Sequence, residues 1–349
     1  MKPFVCRAIL LSMAVSSTSG FSTTTKSSLS GSIPSSSILR AANPIEQGEL
    51  DTRSFQLSQD EINPLLTFGE PPKEKFVNAH GAWCFLVSLV TGPIWLLAMA
   101  IVGKKGDNDV NKAEYDNTGK IWSKAWLTAT NSYPTISGNV ERLEAGNDAG
   151  ACLFVANHAS WLDIPVLCTV LDPVFKFIAK GELAKVPCIG QQLTGGNHIL
   201  IDREDRRSQL KTFKEGIKWL KKGVPLMAFP EGQRSQDGHL MDFKGGLFLM
   251  AAKTNVPIVP ITLSHTHAIM PSNALFPFQA GAGKLHVHVH DPIDAKGKTE
   301  DELSAAVREA FIKTLPLEQQ PLETLVLEER VEEAEVEVEK KPAEEKVAA

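Results

Sequence analysis

The chain has 349 residues, 43% of them hydrophobic, and a formal net charge of −5. With a leader and an acidic end set aside, this leaves room for one catalytic domain with a sizeable core and a small membrane-associated element. No basic, aromatic-rich patch points to nucleic acid, and five cysteines without a Cys-x-x-Cys pair indicate neither a zinc ribbon nor a disulfide framework.

The N-terminus carries Lys2 and Arg7, then the short apolar run Ala8 to Val15 and small residues to Gly20, the pattern of a signal peptide over residues 1–20. Residues 21–50 are rich in serine and threonine, with Lys26 and Arg40 but no acid before Glu46, which is transit-peptide composition. A signal followed by a transit peptide, with Phe21 at the junction, resembles the two-part presequence of algae with complex plastids and implies a plastid membrane address. The alternative is a plain signal peptide with a disordered serine-rich stretch behind it. Residues 51–80 read as a linker.

Residues 81–134 form an expected membrane-associated helical segment. Gly81 to Gly103 is uncharged, apolar and long enough to cross a bilayer, and Lys104-Lys105 follows it. Gly92-Pro93 near its middle offers a second possibility, a break into a re-entrant pair that enters one leaflet. Ile121, Trp122, Ala125 and Trp126 recur at helical spacing, and either rest on the membrane surface or pack on the catalytic core.

Ala151 to Ala156 reads as a buried strand, so His158 of Asn157-His158-Ala159-Ser160-Trp161-Leu162-Asp163 sits on a strand-to-helix turn. Ser160 is expected to N-cap the following helix, with Asp163 in its first turn, where the carboxylate can reach back to His158. The competing reading is a plain capping box beside a turn histidine. Asp205 to Lys222 carries Leu210, Phe213, Ile217 and Leu220 at helical spacing and stops at Gly223, with Arg206 and Arg207 as helix-face charges. Leu226 to Phe229 reads as another buried strand, and Pro230-Glu231-Gly232 then allows a tight turn before Arg234, whose planar fork suits a phosphate. An arginine merely paired with Glu231 is the bland alternative.

In Leu285 to His290 the three histidines share one strand face. A structural role with the valines toward the core is the main expectation, and a zinc site the alternative. His198, His265 and His267 lack a ligand-like pattern. Gly-x-Ser-x-Gly is absent, and Gly281 to Lys284 lacks P-loop spacing. From Glu328 onward glutamate alternates with valine and alanine, so residues 319–349 read as an acidic tail. Strands and helices alternate between the motifs, which predicts an α/β fold: a mixed sheet flanked by helices on both faces, behind an N-terminal membrane-associated helical segment.

His158 with Asp163, Ile201-Asp202-Arg203, Phe229 to Ser235, and Val256 to Ile261 resemble, in order, the four motifs of the glycerolipid acyltransferases, most closely the 1-acylglycerol-3-phosphate acyltransferases of the plastid and bacterial type. The resemblance covers roughly residues 116–316 and implies an acyltransferase domain over 135–318. One departure is Gln233, where the family usually has threonine or serine. The resemblance implies acyl transfer from a thioester, on acyl carrier protein or coenzyme A, to the free hydroxyl of lysophosphatidate, with membrane lipids as further partners and no metal or cofactor. His158 is then the general base and Asp163 its orienting carboxylate. The phosphate role falls to Arg234 and Arg203, with Glu231 and Gly232 shaping the turn and Lys180 where relatives also carry a lysine. Acylation of glycerol 3-phosphate or another lysophospholipid is the alternative within the class. Outside it stands a non-catalytic lipid-binding protein of the same fold.

Overall fold

The structure is a computed structural model that describes residues 63–70, 74–105, 111–144, 150–171 and 174–322. The expected leader and most of the acidic tail lie outside these residues. The stretch expected as a linker carries an antiparallel hairpin, β1 (Leu66–Phe68) and β2 (Lys75–Val77), and then enters α1 (Ala79–Lys105).

Helix α1 runs unbroken through Gly92 and Pro93, so the re-entrant break does not occur. Its flank is held instead by α2 (Ala113–Ala129), with which it forms an extensive helix pair. The tryptophans make the joint. Trp122 Nε1 donates to Thr91 Oγ1 at 3.1 Å, Trp126 Nε1 donates to Ser88 Oγ at 2.9 Å, and the Trp95 and Trp122 rings stack with centroids 4.4 Å apart. Trp122 and Trp126 turn onto α1, and Trp126 also joins the buried core, as an indole whose N–H finds a partner can; Ile121 stays exposed. On the other side of α1, Trp83, Leu86, Val90, Ile94, Leu97 and Ile101 stand out at spacings of three and four residues, each more than half exposed. By length and composition, α1 is long and apolar enough to cross a membrane.

The remaining strands are β3 (Thr135–Gly138), β4 (Leu153–Ala156), β5 (Lys176–Lys180), β6 (Ile199–Ile201), β7 (Leu226–Ala228), β8 (Ile258–Ser264) and β9 (His286–Val289). They form one sheet in the order β3-β9-β8-β4-β7-β5-β6. All neighbours are parallel except β8 and β9, which gives a mixed sheet. Central strands β4, β7 and β8 are buried throughout, as covered parallel strands must be, which is why they read as continuous apolar runs.

Alternation along the strands divides the core in two. Phe154, Ala156, Met227, Val259, Ile261, Val287 and Val289 face α1, α2, α3 (Asp163–Val170) and α4 (Ile189–Gly195). Leu153, Val155, Leu226 and Ile258 face α5 (Arg206–Lys221), α6 (Gly246–Thr254) and α7 (Glu300–Thr314). The chain is therefore a three-layer sandwich with the membrane-type helix in one outer layer. Helix α5 begins as its sequence implies, with Asp205 accepting from the Arg207 and Ser208 amides, and ends before Gly223 at φ 84°. Its predicted apolar face fails only at Leu210, which is 55% exposed; Phe213, Ile217 and Leu220 make the expected contact, joined by Trp219.

At the N-terminal ends of β5 and β6 lies a buried polar knot. Lys176, fully buried, donates to Asp116 Oδ2 of α2 and to the Gly196 carbonyl, and its ammonium lies 5.5 Å from the Trp219 ring centroid. His198 Nδ1 accepts the Phe177 amide at 2.9 Å while Nε2 sits 3.2 Å from Asp116 Oδ1. On β9 the valines are buried, and the histidines find hydroxyl partners: Ser137 Oγ lies 2.7 Å from His286 Nε2 and 2.9 Å from His288 Nδ1, and Thr262 Oγ1 lies 2.7 Å from His290 Nε2. Among the described residues, no group of three or more His, Cys, Asp or Glu side chains could hold a metal ion.

Candidate active site

Four adjacent parallel strands, β4, β7, β5 and β6, end on the same edge of the sheet. His158 follows β4, Glu231 to Arg234 follow β7, Lys180 ends β5 and Arg203 follows β6. That edge is where ligands of parallel sheets bind.

The His158 ring is nearly buried, and its Nδ1 lies 2.7 Å from Asp163 Oδ2. The same oxygen accepts the amides of Ala159 and Ser160, each at 2.9 Å, so one carboxylate fixes both the ring and the turn that carries it. Helix α3 starts at Asp163, and Ser160 is not its N-cap. The Ser160 hydroxyl accepts from the Leu162 amide at 3.1 Å and donates to the Met270 carbonyl at 2.7 Å. Only one half of the expected capping box survives, with Asp163 reaching back to the Ser160 amide, because the serine hydroxyl is drawn to another segment.

A carboxylate on Nδ1 keeps the proton there and leaves the lone pair on Nε2, to which nothing among the described residues hydrogen-bonds. Burial is the largest influence on His158 and lowers its pKa; the Asp163 bond and charge oppose this, and the charges of Arg234 and Arg203 add to the lowering. The imidazole is therefore neutral at neutral pH. Phe229 lies flat against it, with ring centroids 3.8 Å apart and an interplanar angle of 11°.

The turn after β7 grips the His158 backbone from both sides. Glu231 Oε1 accepts the His158 amide at 2.6 Å, and the Ser235 amide donates to the His158 carbonyl at 2.8 Å. The other Glu231 oxygen accepts the Met241 amide at 3.0 Å. Burial outweighs these two amide bonds and pushes the Glu231 carboxyl up to about 8. Both its oxygens are thus committed to backbone, which makes Glu231 a brace between two loops. Gly232, at φ 76°, closes a turn through its amide to the Phe229 carbonyl at 3.1 Å, a backbone conformation other residues rarely adopt. Its neighbour Gln233 is exposed.

Arg234 does not pair with Glu231. Its guanidinium lies 4.8 Å from the Trp161 ring centroid, close enough for its charge to act on both His158 and Asp163. Arg203 is solvent exposed, and its charge also reaches His158. Lys180 shares the sheet edge, where its ammonium lies 2.9 Å from Glu182 Oε2. The structure thus brings His158, Asp163, Glu231, Gly232 and Arg234 into one cluster, puts Arg203 at its margin and leaves Lys180 along the edge.

Four participants escaped the sequence reading. Phe229 and Trp161 lay inside the motifs without a role, although an aromatic beside each working side chain was a signal for stacking. His267 lies with its Nδ1 3.4 Å from the Ala159 carbonyl and within charge reach of Asp163 and Arg234. Lys75 of β2 donates to the Ser272 carbonyl and feels the Arg234 charge. Nothing local in the sequence marks either residue, because long-range packing delivers both.

The Acyltransferase family profile matches residues 137–264. A 1-acyl-sn-glycerol-3-phosphate acyltransferase of Chlamydomonas reinhardtii is 41% identical over 239 residues, covering 68% of each chain. A chloroplastic one of Arabidopsis thaliana is 38% identical over 279 residues, 76% of this chain and 75% of its own. The crystal structure of PlsC, a 1-acyl-sn-glycerophosphate acyltransferase from Thermotoga maritima, superposes with a TM-score of 0.53 at 27% identity, over 66% of this chain and 90% of that one. With a motif order, a sheet and relatives that all agree, the chain belongs to the 1-acyl-sn-glycerol-3-phosphate acyltransferase family.

Proposed function

We propose that the chain moves a fatty acyl group from a thioester to the sn-2 hydroxyl of lysophosphatidate, giving phosphatidate, with His158 as general base. The observation that carries this reading is an imidazole with a carboxylate on one nitrogen and a free lone pair on the other, within charge reach of two arginines. The acceptor hydroxyl attacks the thioester carbonyl and gives its proton to His158 Nε2. The tetrahedral adduct collapses, the carbon–sulfur bond breaks, and the departing thiolate takes the proton back from the imidazolium. Asp163 holds the productive tautomer and steadies the imidazolium, a service worth on the order of 10²–10⁴ in rate together with the base. Arg234 grips the acceptor phosphate with Arg203 beside it, Lys180 extends the cationic edge, and Glu231 and Gly232 hold the turn.

The exposed apolar stripe of α1 supports a membrane-associated segment over residues 81–134, ahead of an acyltransferase domain over 135–318. That arrangement suits an acceptor that already carries one acyl chain and resides in the bilayer. The leader composition and the chloroplastic relatives support a plastid membrane as its location. The test is purified enzyme offered lysophosphatidate, glycerol 3-phosphate and lysophosphatidylcholine in turn. Preference for lysophosphatidate is expected. Preference for the choline lipid would overturn the phosphate grip.

A further inference from the structure

Among the described residues, the outward face of α5 is a strongly charged helix surface that the site does not use. Between Arg206 and Lys221 there are six basic residues and one acidic residue. Arg207, Lys211, Lys214, Lys218 and Lys221 follow at steps of four, three, four and three, which puts them on one face over about 21 Å. All five are exposed, and among the described residues none is in an ion pair. Like charges so aligned destabilise a helix slightly, so the sequence bears a cost that folding alone does not explain.

The stripe is not uniformly polar. Leu210 stands in it, 55% exposed, and with Arg207, Lys211, Lys214, Glu215 and Lys218 it lines a shallow groove of about 430 Å³. An exposed apolar anchor among four cations and a single carboxylate is the make-up of a protein-docking face, in which the anchor supplies affinity and the charges supply encounter rate and orientation.

Two features decide which anionic surface fits. The helix lies in the outer layer opposite the one that holds α1, so its basic face points away from the surface where α1 presents its apolar stripe. A bilayer that takes up α1 is therefore on the wrong side for α5. The helix also begins three residues after Arg203, whose charge reaches His158, so a partner seated on the stripe has one end at the mouth of the site.

We propose that this face docks a small acidic carrier protein that presents the acyl group as a thioester. The proposal rests on the acyl-transfer reading and deepens it, because it gives the carrier-linked form of the donor a place to dock. Recognition is electrostatic: Arg207, Lys211, Lys214 and Lys218 meet carboxylates of the carrier, and Leu210 enters an apolar recess between them.

The experiment compares wild type with a triple variant, Lys211→Glu, Lys214→Glu and Lys218→Glu, and with its neutral counterpart carrying glutamine at the same positions. Turnover is measured with acyl-loaded acyl carrier protein and with the same acyl group on coenzyme A, and binding to immobilised carrier protein is measured without turnover. A rise of at least tenfold in KM for the carrier-linked donor is expected, smaller for the glutamine variant, with KM for the coenzyme A donor within twofold and thermal melting unchanged. Raising salt should weaken carrier binding to wild type and leave the variant unaffected. Unchanged carrier binding, an equal KM rise for both donors, or loss of binding to phosphatidylglycerol vesicles in place of carrier binding would each overturn it. If wild type acylates lysophosphatidate from neither donor, the acyl-transfer reading fails, and the direct binding measurement still decides the docking face.

Discussion

Two His–Asp pairs sit at opposite ends of the same sheet, and the difference between them separates the histidine we propose as the base from one held in a structural knot. His158 has Asp163 on Nδ1 and no protein partner on Nε2. His198 has a neighbour at both nitrogens: one accepts the Phe177 amide and the other faces Asp116 at 3.2 Å, whose charge is in turn matched by buried Lys176. The first pair lies where parallel strands end and backbone turns are exposed to ligand. The second lies where those strands begin, sealed under α2. A histidine beside an aspartate is common to both, and only the wiring of the second nitrogen and of the aspartate tells them apart.

The sharpest way to break this comparison is to remove each imidazole in turn. His158→Ala should lower kcat by about 10²–10⁴ in an acyl-transfer assay and leave the melting temperature nearly unchanged. His198→Ala should do the reverse, with activity per folded molecule retained; equal losses of activity in both would dissolve the distinction. Next in size is Lys176→Met, which strands buried Asp116 and is expected to cost about 3–5 kcal/mol in denaturant unfolding, since one member of a buried pair is left uncompensated.

Arg234→Ala sharpens the catalytic end. Loss of a charge-assisted contact worth about 1.5–3 kcal/mol should raise KM for lysophosphatidate roughly 10- to 100-fold and move kcat much less. A lysine at this position should recover only part of the loss, because it lacks the planar fork.

A smaller effect separates the histidines by pH. His158 has its pKa lowered, so activity should persist below the ordinary histidine range and fall only as pH drops through that depressed value. His286 and His288 are lowered and His290 is pushed down to about 4, in each case chiefly by burial. Their unfolded forms take up protons near pH 6.5 while the folded forms do not. Stability is therefore complete above that range and falls as pH drops below it, continuing toward pH 4 for His290, with a slope that solvent screening of these part-exposed rings keeps small. Urea unfolding at a series of pH values measures the slope, and a flat profile would show that these histidines protonate freely in the fold. The smallest effect expected is that of Asp205→Ala, a loss of about 1 kcal/mol from the start of α5.

Much of this was legible locally. The apolar runs Leu153 to Ala156 and Leu226 to Ala228 announced buried strands, Asp205 and Gly223 bracketed a helix, and the spacing of His158 and Asp163 foretold their contact. Three features were not legible, each for a physical reason. Ser160 left its capping position because the Met270 carbonyl, 110 residues away, offered its hydroxyl a partner. Pro93 did not break α1, since the helix there is held along its flank by Trp122, which stacks on Trp95 and bonds to Thr91. Glu231, expected by likeness to shape its own turn, also reaches beyond it, spending its two oxygens on the amides of His158 and Met241. Pairings of this kind depend on the tertiary fold, and spacing along the chain carries no trace of them.

The hold that Glu231 and Ser235 exert on the His158 backbone has a consequence for which alcohols can react. On the proposed reading the proton acceptor and the phosphate cation ride on loops whose backbones are bolted directly to each other, so the gap between them stretches little to suit a guest. It works as a ruler. A lysolipid whose hydroxyl stands one carbon nearer to its phosphate, or one farther from it, would have to give up one grip to gain the other, and regiochemistry would be set by a length written into the fold.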